Sequence, residues 1–99
     1  MSTLHVLSHS PFSDSRLNSC LRLVGEHDAI LLCGDATYSL TPASAPLQAL
    51  EDRLGGLKLF ALEEDMQARN IQAPAWASQV DYAGFVDLTI RFDKVNSWL

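Results

Sequence analysis

Leu57-Lys-Leu-Phe-Ala-Leu-Glu-Glu-Asp-Met-Gln-Ala-Arg-Asn-Ile71 is the stretch whose reading decides the fold. The mainly apolar run Leu57 to Leu62 reads as a strand and passes directly into a short helix, Glu63 to Asn70. Glu63, Glu64 and Asp65 occupy the first turn, where acids answer the positive end of the helix macrodipole. Asn70 suits the left-handed closing position. A strand feeding straight into a helix is the repeating unit of a parallel α/β sheet. In such sheets the C-terminal tips of the strands hold the nucleophiles and phosphate loops. This tip instead offers Leu62 and three acids, and the stretch has no Cys, Ser, His or Gly.

Upstream, the same grammar appears twice. Thr3 to Leu7 reads as a first strand, closed by the turn-rich Ser8-His-Ser-Pro-Phe-Ser13. Asp14 or Ser15 then caps a helix with Leu17, Cys20, Leu21, Leu23 and Val24 on one side, and Gly25 ends it where positive φ costs little. Asp28 to Cys33 is a continuous apolar run, as expected of a parallel strand covered on both faces, with a turn at Gly34-Asp35. Thr37 to Pro42 reads as a loop or a short edge excursion. Leu47, Leu50 and Leu54 are spaced for an amphipathic helix over Ala43 to Leu54, stopped by Gly55-Gly56.

Downstream, a loop from Gln72 to Ala77 leads to a brief strand, Gln79 to Asp81, after which Asp81 caps a helix to about Phe92 with Tyr82, Phe85, Val86 and Thr89 on one face. Within it Asp87 to Phe92 alternates as a strand would. Asn96 to Leu99 is expected to add an edge strand. No linker, repeat or low-complexity run divides residues 1–99, so the expectation is one three-layer α/β domain with a mostly parallel sheet of four or five strands.

Composition narrows the function classes. A 99-residue chain buries only roughly two-thirds of its unfolded surface, which leaves a thin stability margin that a partner subunit would widen. The sheet edges and the large apolar side chains Phe12, Trp76 and Trp98 point the same way, and at least one Trp is expected at a subunit contact. Seven basic residues against twelve acidic ones, a net charge of −5, argue against direct nucleic-acid binding, which needs a basic face to displace counterions. No run approaches the roughly twenty apolar residues of a membrane span, and Met1-Ser-Thr-Leu-His5 lacks the basic and apolar regions of a signal peptide, so a cytoplasmic protein is expected. Cys20 and Cys33 fit neither a CxxC pair nor a zinc knuckle and are expected to be free thiols.

Each residue able to carry chemistry also has a structural explanation. Cys20 sits among Leu17, Leu21 and Val24 as a small hydrophobe would, although a thiol on a helix face can also accept sulfur. Cys33 ends a strand beside Gly34-Asp35, where Asp35 is expected to raise its pKa and blunt the thiolate. His5, His9 and His27 match no ligand spacing, so no metal site is expected. His9, in the strand-tip segment Ser8-His-Ser-Pro11, is the most interesting of the three. Glu63, Glu64 and Asp65 resemble paired carboxylates, but a helix N-terminus accounts for them. Neither GxGxxG nor GxxxxGK[ST] occurs, which leaves no nucleotide or flavin loop and no expected cofactor.

Four blocks are similar to one family: Leu4-His-Val-Leu7 with Ser10-Pro-Phe12; Leu31-Leu-Cys-Gly-Asp35; Phe60-Ala-Leu-Glu-Glu-Asp-Met-Gln-Ala-Arg69; and Val80-Asp-Tyr-Ala-Gly-Phe-Val-Asp-Leu-Thr89, with Trp98 near the C-terminus. On these the chain resembles the TusB/DsrH sulfur-relay proteins. The resemblance implies a flavodoxin-like domain of the DsrE/DsrF/DsrH type, assembled with TusC-like and TusD-like homologues into a dimer of heterotrimers. It further implies that this assembly takes persulfide sulfur from a TusA-like carrier and passes it through a TusE-like one toward thiolation of the tRNA wobble uridine. In the family the transferring cysteine belongs to the TusD-like subunit, near a strand-to-helix junction that matches Leu62 here. The implied role is a non-catalytic, structural subunit with no catalytic residue. The alternative is a DsrH-type sulfur carrier with Cys20 as persulfide acceptor.

Overall fold

The computed structural model describes residues 2–98, and of Leu54 the backbone only. Five strands form one sheet: β1 (Thr3–Leu7), β2 (Ala29–Leu32), β3 (Lys58–Leu62), β4 (Ser78–Val80) and β5 (Lys94–Trp98). They lie in the order β4-β3-β2-β1-β5, and every pairing is parallel. Four α-helices connect them: α1 (Arg16–Leu23), α2 (Ala45–Glu51), α3 (Glu63–Ala68) and α4 (Tyr82–Arg91). The α/β expectation holds, and the sheet is wholly rather than mostly parallel.

The order explains how the layers are filled. From β1 to β4 the chain steps across the sheet in one direction, so right-handed crossovers stack the first three helices on one face. That face holds the larger core, including Leu7, Leu17, Cys20, Ile30, Leu32, Leu50, Leu59 and Met66. The return from β4 to β5 puts α4 on the opposite face, over Leu4, Ala29, Leu31 and Leu88. All four residues of β2 are buried, as its unbroken apolar run requires of a strand covered on both sides.

Several local readings are corrected. α1 does not end on a left-handed Gly25; among the described glycines only Gly34 has positive φ, and Val24 closes the helix in an extended conformation. Gly25 is small because the Asp28 carboxylate folds back on it, leaving a Cβ at that position only 3.3 Å from Oδ2. Leu23 is exposed, since it falls roughly 100° from the Leu17–Cys20–Leu21 stripe. Arg53 caps the end of α1 instead, donating to the carbonyls of Leu21 and Val24. Of the expected loop or edge excursion Thr37 to Pro42, residues up to Leu40 belong instead to a 3₁₀ segment, Gly34–Leu40, that buries Ala36, Thr37, Ser39 and Leu40. The second helix is shorter than the Leu spacing suggests. Ala43 adopts φ 59°, Ser44 accepts the Leu47 amide as N-cap and Pro46 fills the first turn, so α2 starts only at Ala45. Leu54 falls in a separate 3₁₀ turn, Leu54–Gly56. Asn70, with φ 53°, takes the left-handed position expected of it.

The ambiguous segment after Val80 is a helix, with the Asp81 side chain accepting the Gly84 amide at 2.7 Å. A side chain at Gly84 would meet Val80 Cβ at 3.1 Å, so this helix packs closely on β4. Its buried face is Phe85 and Leu88, not Tyr82 and Val86, which point outward. β5 begins earlier than expected, at Lys94, and pairs along all of β1; Leu99 lies outside the described residues.

One partly buried carboxylate ties these pieces together. Asp28, just before β2, accepts the Thr3 amide at 2.9 Å, the Gly25 amide at 2.8 Å and His5 Nε2 at 3.3 Å. Trp98 Nε1 donates to the other imidazole nitrogen, Nδ1, at 3.2 Å. An indole N–H only donates, so Nδ1 accepts and Nε2 carries the hydrogen that faces Asp28. Burial raises the Asp28 carboxyl, but the amides of Gly25 and Thr3 and the contact with His5 outweigh it and hold the group below its ordinary range. Replacing Asp28 with Ala is expected to cost about 2–4 kcal/mol of unfolding free energy, read by urea denaturation, because two amides and an imidazole lose a charged acceptor. A depressed folded pKa makes this contribution complete above the unfolded value of about 3.9 and lost as pH falls through the folded value. Asp28→Asn should therefore flatten the stability profile below about pH 4 relative to the parent chain.

Candidate functional site

The C-terminal edge of the sheet gathers the tips of β1, β2 and β3. Cys33 follows β2, with its amide donating to the Leu7 carbonyl at 3.0 Å and its Sγ 3.5 Å from the same oxygen. Gly34 then turns with φ 52°, and a Cβ there would stand 3.3 Å from the Ser8 carbonyl oxygen, so the β1 and β2 tips meet through a residue without a side chain. The freed Gly34 amide donates to Asp65 Oδ2 at 2.7 Å. Asp65 thus does more than answer the dipole of α3: it fixes the β2 turn to the β3 tip.

Beside this junction Arg69 bridges two elements. Its Nη2 and Nε reach Asp35 Oδ1 at 2.8 and 3.2 Å, Nη1 donates to the Asp65 carbonyl at 3.1 Å, and the guanidinium lies 5.6 Å from the centre of the Tyr38 ring. The planar fork suits a carboxylate on its edge and an aromatic face on its flank. Next to it opens a groove of about 620 Å³ lined by Phe12, Tyr38, Pro42, Arg69 and Ile71. Two aromatic rings and a guanidinium in a shallow groove form a candidate binding surface at the edge where α/β proteins place their sites.

The two thiols differ in placement and share poor ionisation. Cys20 is fully enclosed under α1, and burial, with Asp28 adding its negative charge, pushes its thiol up to about 12. Cys33 is half-buried; burial first and Asp65 second raise its thiol. The acid acting on Cys33 is therefore Asp65, not the neighbouring Asp35. Thirty-two residues separate Cys33 from Asp65 in the chain, so no local signal revealed it.

His5, His9 and His27 lie apart. His5 is buried in the Trp98–His5–Asp28 chain, whereas His9 and His27 are exposed, His9 with Nδ1 3.5 Å from Ser8 Oγ. Among the described residues no group of three or more His, Cys, Asp or Glu side chains is placed to hold a metal ion, and no helix is long and apolar enough to cross a membrane. Leu62, the last residue of β3, is buried at 8% exposure, with Glu63, Glu64 and Asp65 following as the first turn of α3. Trp76 and Trp98 both pack on the larger core, while Phe12 stays exposed. Sequence reasoning missed the Asp35–Arg69–Tyr38 cluster and the groove beside it, since both form only when the 3₁₀ segment and α3 pack together.

The family model of DsrH-like proteins matches residues 9–95. The TusB protein of Erwinia tasmaniensis is 35% identical over 97 residues, covering 96% of this chain and 99% of its own length. TusB proteins of Yersinia pestis and Yersinia pseudotuberculosis match with the same identity and coverage. Of solved structures, the ychN protein of E. coli superposes with a TM-score of 0.80 at 16% identity, over 99% of this chain and 100% of that one. A protein of unknown function from Methanobacterium thermoautotrophicum gives 0.71 at 11% identity, over 96% of both chains. These two likenesses show the fold.

A raised pKa and burial together predict slow thiol chemistry. In the folded protein at pH 8, Cys20 is expected to alkylate with iodoacetamide far more slowly than in urea, and Cys33 at an intermediate rate, as followed by intact mass with Cys33→Ser to separate the two. Equal rates for Cys20 in the folded and unfolded chain would contradict its enclosure.

Proposed function

The chain belongs to the TusB/DsrH family of DsrH-like proteins, and we propose that it is the structural, non-catalytic subunit of a TusBCD-type sulfur relay. In this reading it sits in a cytoplasmic heterohexamer with TusC-like and TusD-like homologues. The assembly takes persulfide sulfur from a TusA-like carrier and hands it to a TusE-like one for thiolation of the tRNA wobble uridine. This chain itself carries no cofactor, touches no nucleic acid and makes no membrane contact.

The observation that carries the proposal is the β3–α3 junction. Leu62 is buried there, at the place where the resemblance puts a sister subunit's transferring cysteine. A leucine has no atom to hold persulfide sulfur. The acidic turn behind it opposes a thiolate by like charge. The net charge of −5 supports an indirect link to tRNA, through carriers rather than by contact with the phosphate backbone.

The alternative role for Cys20 meets two physical obstacles. Accepting sulfur from a persulfide donor requires thiolate attack, and the Cys20 thiol is pushed up to about 12 with no path to solvent. The enclosure of Cys20 therefore supports the structural reading.

Co-expression with TusC-like and TusD-like partners is expected to yield one complex on size exclusion, with Cys20→Ser leaving sulfur transfer through that complex within about twofold of the parent. Failure to co-elute would remove the proposal. A mass gain of one sulfur on this chain after exposure to a persulfide donor, lost in Cys20→Ser, would establish the carrier role instead.

A further inference from the structure

Beyond its ladder to β1, strand β5 is tied down at its two ends. At the start, Asp93 Oδ2 accepts the Ser2 amide at 2.9 Å, and the Lys94 amide donates to the Ser2 carbonyl at 3.1 Å. From Lys94 to Ser97 the side chains are exposed. At the end, Trp98 lays a partly buried side chain on the larger core, and its one polar atom, Nε1, donates to His5 Nδ1 at 3.2 Å. The two rings are tilted by 42° with centroids 6.2 Å apart, so the N–H···N bond rather than face-to-face stacking orients the indole.

The two sides of the His5 ring answer a proton in opposite ways. Nε2 already carries its hydrogen toward Asp28 at 3.3 Å, so a proton added to the ring goes to Nδ1. The imidazolium keeps Nε2–H on Asp28, now as a charge-assisted bond, and the new charge therefore has a partner although the ring is buried. Asp28 is ionised when this happens: burial opposes its charge, but the Gly25 and Thr3 amides hold its carboxyl below the ordinary range. Nδ1, however, has turned from acceptor into donor and faces a second donor, the Trp98 indole. No other element supplies a competing charge to the ring. Cys20 of α1, which feels Asp28 and oppositely Arg53, stays a neutral thiol, pushed up to about 12. The register partners of His5 are the apolar Ile30 on β2 and the uncharged Asn96 on β5. Among the described residues Asp28 is the only charged side chain bonded to the ring.

We propose that His5 is a proton-operated latch on the C-terminal end of β5: the neutral ring holds the Trp98 indole on the domain, and protonation at Nδ1 releases it while the Asp93 end of the strand stays bound. The ion pair with Asp28 is what makes this a switch rather than acid unfolding, because the bond lost on one side of the ring is matched by a stronger one on the other. The latch is a property of the chain alone and does not rest on the sulfur-relay reading.

NMR on the full chain, titrated from about pH 8 to about pH 5, where histidine changes its charge, tests it. The indole N–H of Trp98, assigned by its loss in Trp98→Phe, is expected to shift upfield and lose protection from solvent exchange with the same midpoint as the His5 ring. The Trp76 indole and the Lys94 amide should hold theirs. In His5→Asn, whose side-chain oxygen stands close to the place of Nδ1 and takes no proton in this range, the Trp98 response should vanish. In Trp98→Phe the His5 ring should take its proton at higher pH, because the donor that opposed it is gone, and this arm does not depend on His5→Asn folding. An indole unmoved while His5 titrates, a His5 ring that stays neutral throughout, or an unchanged His5 midpoint in Trp98→Phe overturns the proposal. So does a joint loss of all amide signals, which would make the proton a denaturant of the whole domain.

Discussion

The Asp28 carboxylate is the constraint on which the rest of the structure depends. Its two oxygens accept from the start of β1, from the residue after α1 and from His5, and His5 in turn receives the Trp98 indole. Directly and through His5, one side chain therefore links the first strand, the turn into the second and the last strand, where His5 and Trp98 are 93 residues apart in sequence. Charged acceptors of this kind are worth roughly twice a neutral hydrogen bond. They also cost more to leave unmade where the donor is shielded from water, as the buried His5 is. The same charge bears on function. Burial above all keeps the Cys20 thiol protonated and so a poor nucleophile, and Asp28, which locks the α1–β2 turn, adds its negative charge to that effect.

The parts legible in the sequence were those with a local cause. Leu31-Leu32 and Leu59 to Leu62 lie in strands because a β-strand buried on two faces needs uninterrupted apolar residues. The Asp81 cap outweighed the alternating pattern of Asp87 to Phe92, since its bond to the Gly84 amide starts a helix that the alternation cannot undo. β5 was only half visible. Lys94 to Ser97 are exposed, so their hydrophobicity says little, and what makes them a strand is the parallel ladder offered by β1. Gly25 misled for a related reason. A glycine after a helix ordinarily marks a left-handed end, but here it makes room for a carboxylate three residues on, and composition cannot tell the two uses apart.

The candidate site was legible at one residue and hidden at the others. Leu62 could be placed at a strand tip from the apolar run and the acids that follow it. What surrounds it could not. Asp65 reads in sequence as one of three acids at a helix start; in the fold it alone reaches the Gly34 amide, while Glu63 and Glu64 make no such tie among the described contacts. Arg69 has no role assigned from sequence, yet it holds the 3₁₀ segment through Asp35 and Tyr38. Both roles depend on packing between segments more than thirty residues apart. That is the class of contact periodicity does not encode.

The two faces of the sheet divide the labour of this small domain. On one side three helices and the 3₁₀ segment build a core deep enough to enclose Cys20, Leu50 and Met66. On the other a single helix covers four strands with Phe85 and Leu88 and turns Tyr82, Val86 and Ile90 outward. A domain of this length has few residues with which to thicken the second layer. Apolar surface left on the thin side is stabilising only when another molecule removes it from water. The strand order causes this asymmetry, because four strands laid down in one direction commit their crossovers to one face and leave a single return crossover for the other. The topology that assembles Arg69, Asp35 and the groove at the C-terminal edge thus also leaves Tyr82, Val86 and Ile90 of α4 facing outward, a consequence of the path of the chain as much as of its composition.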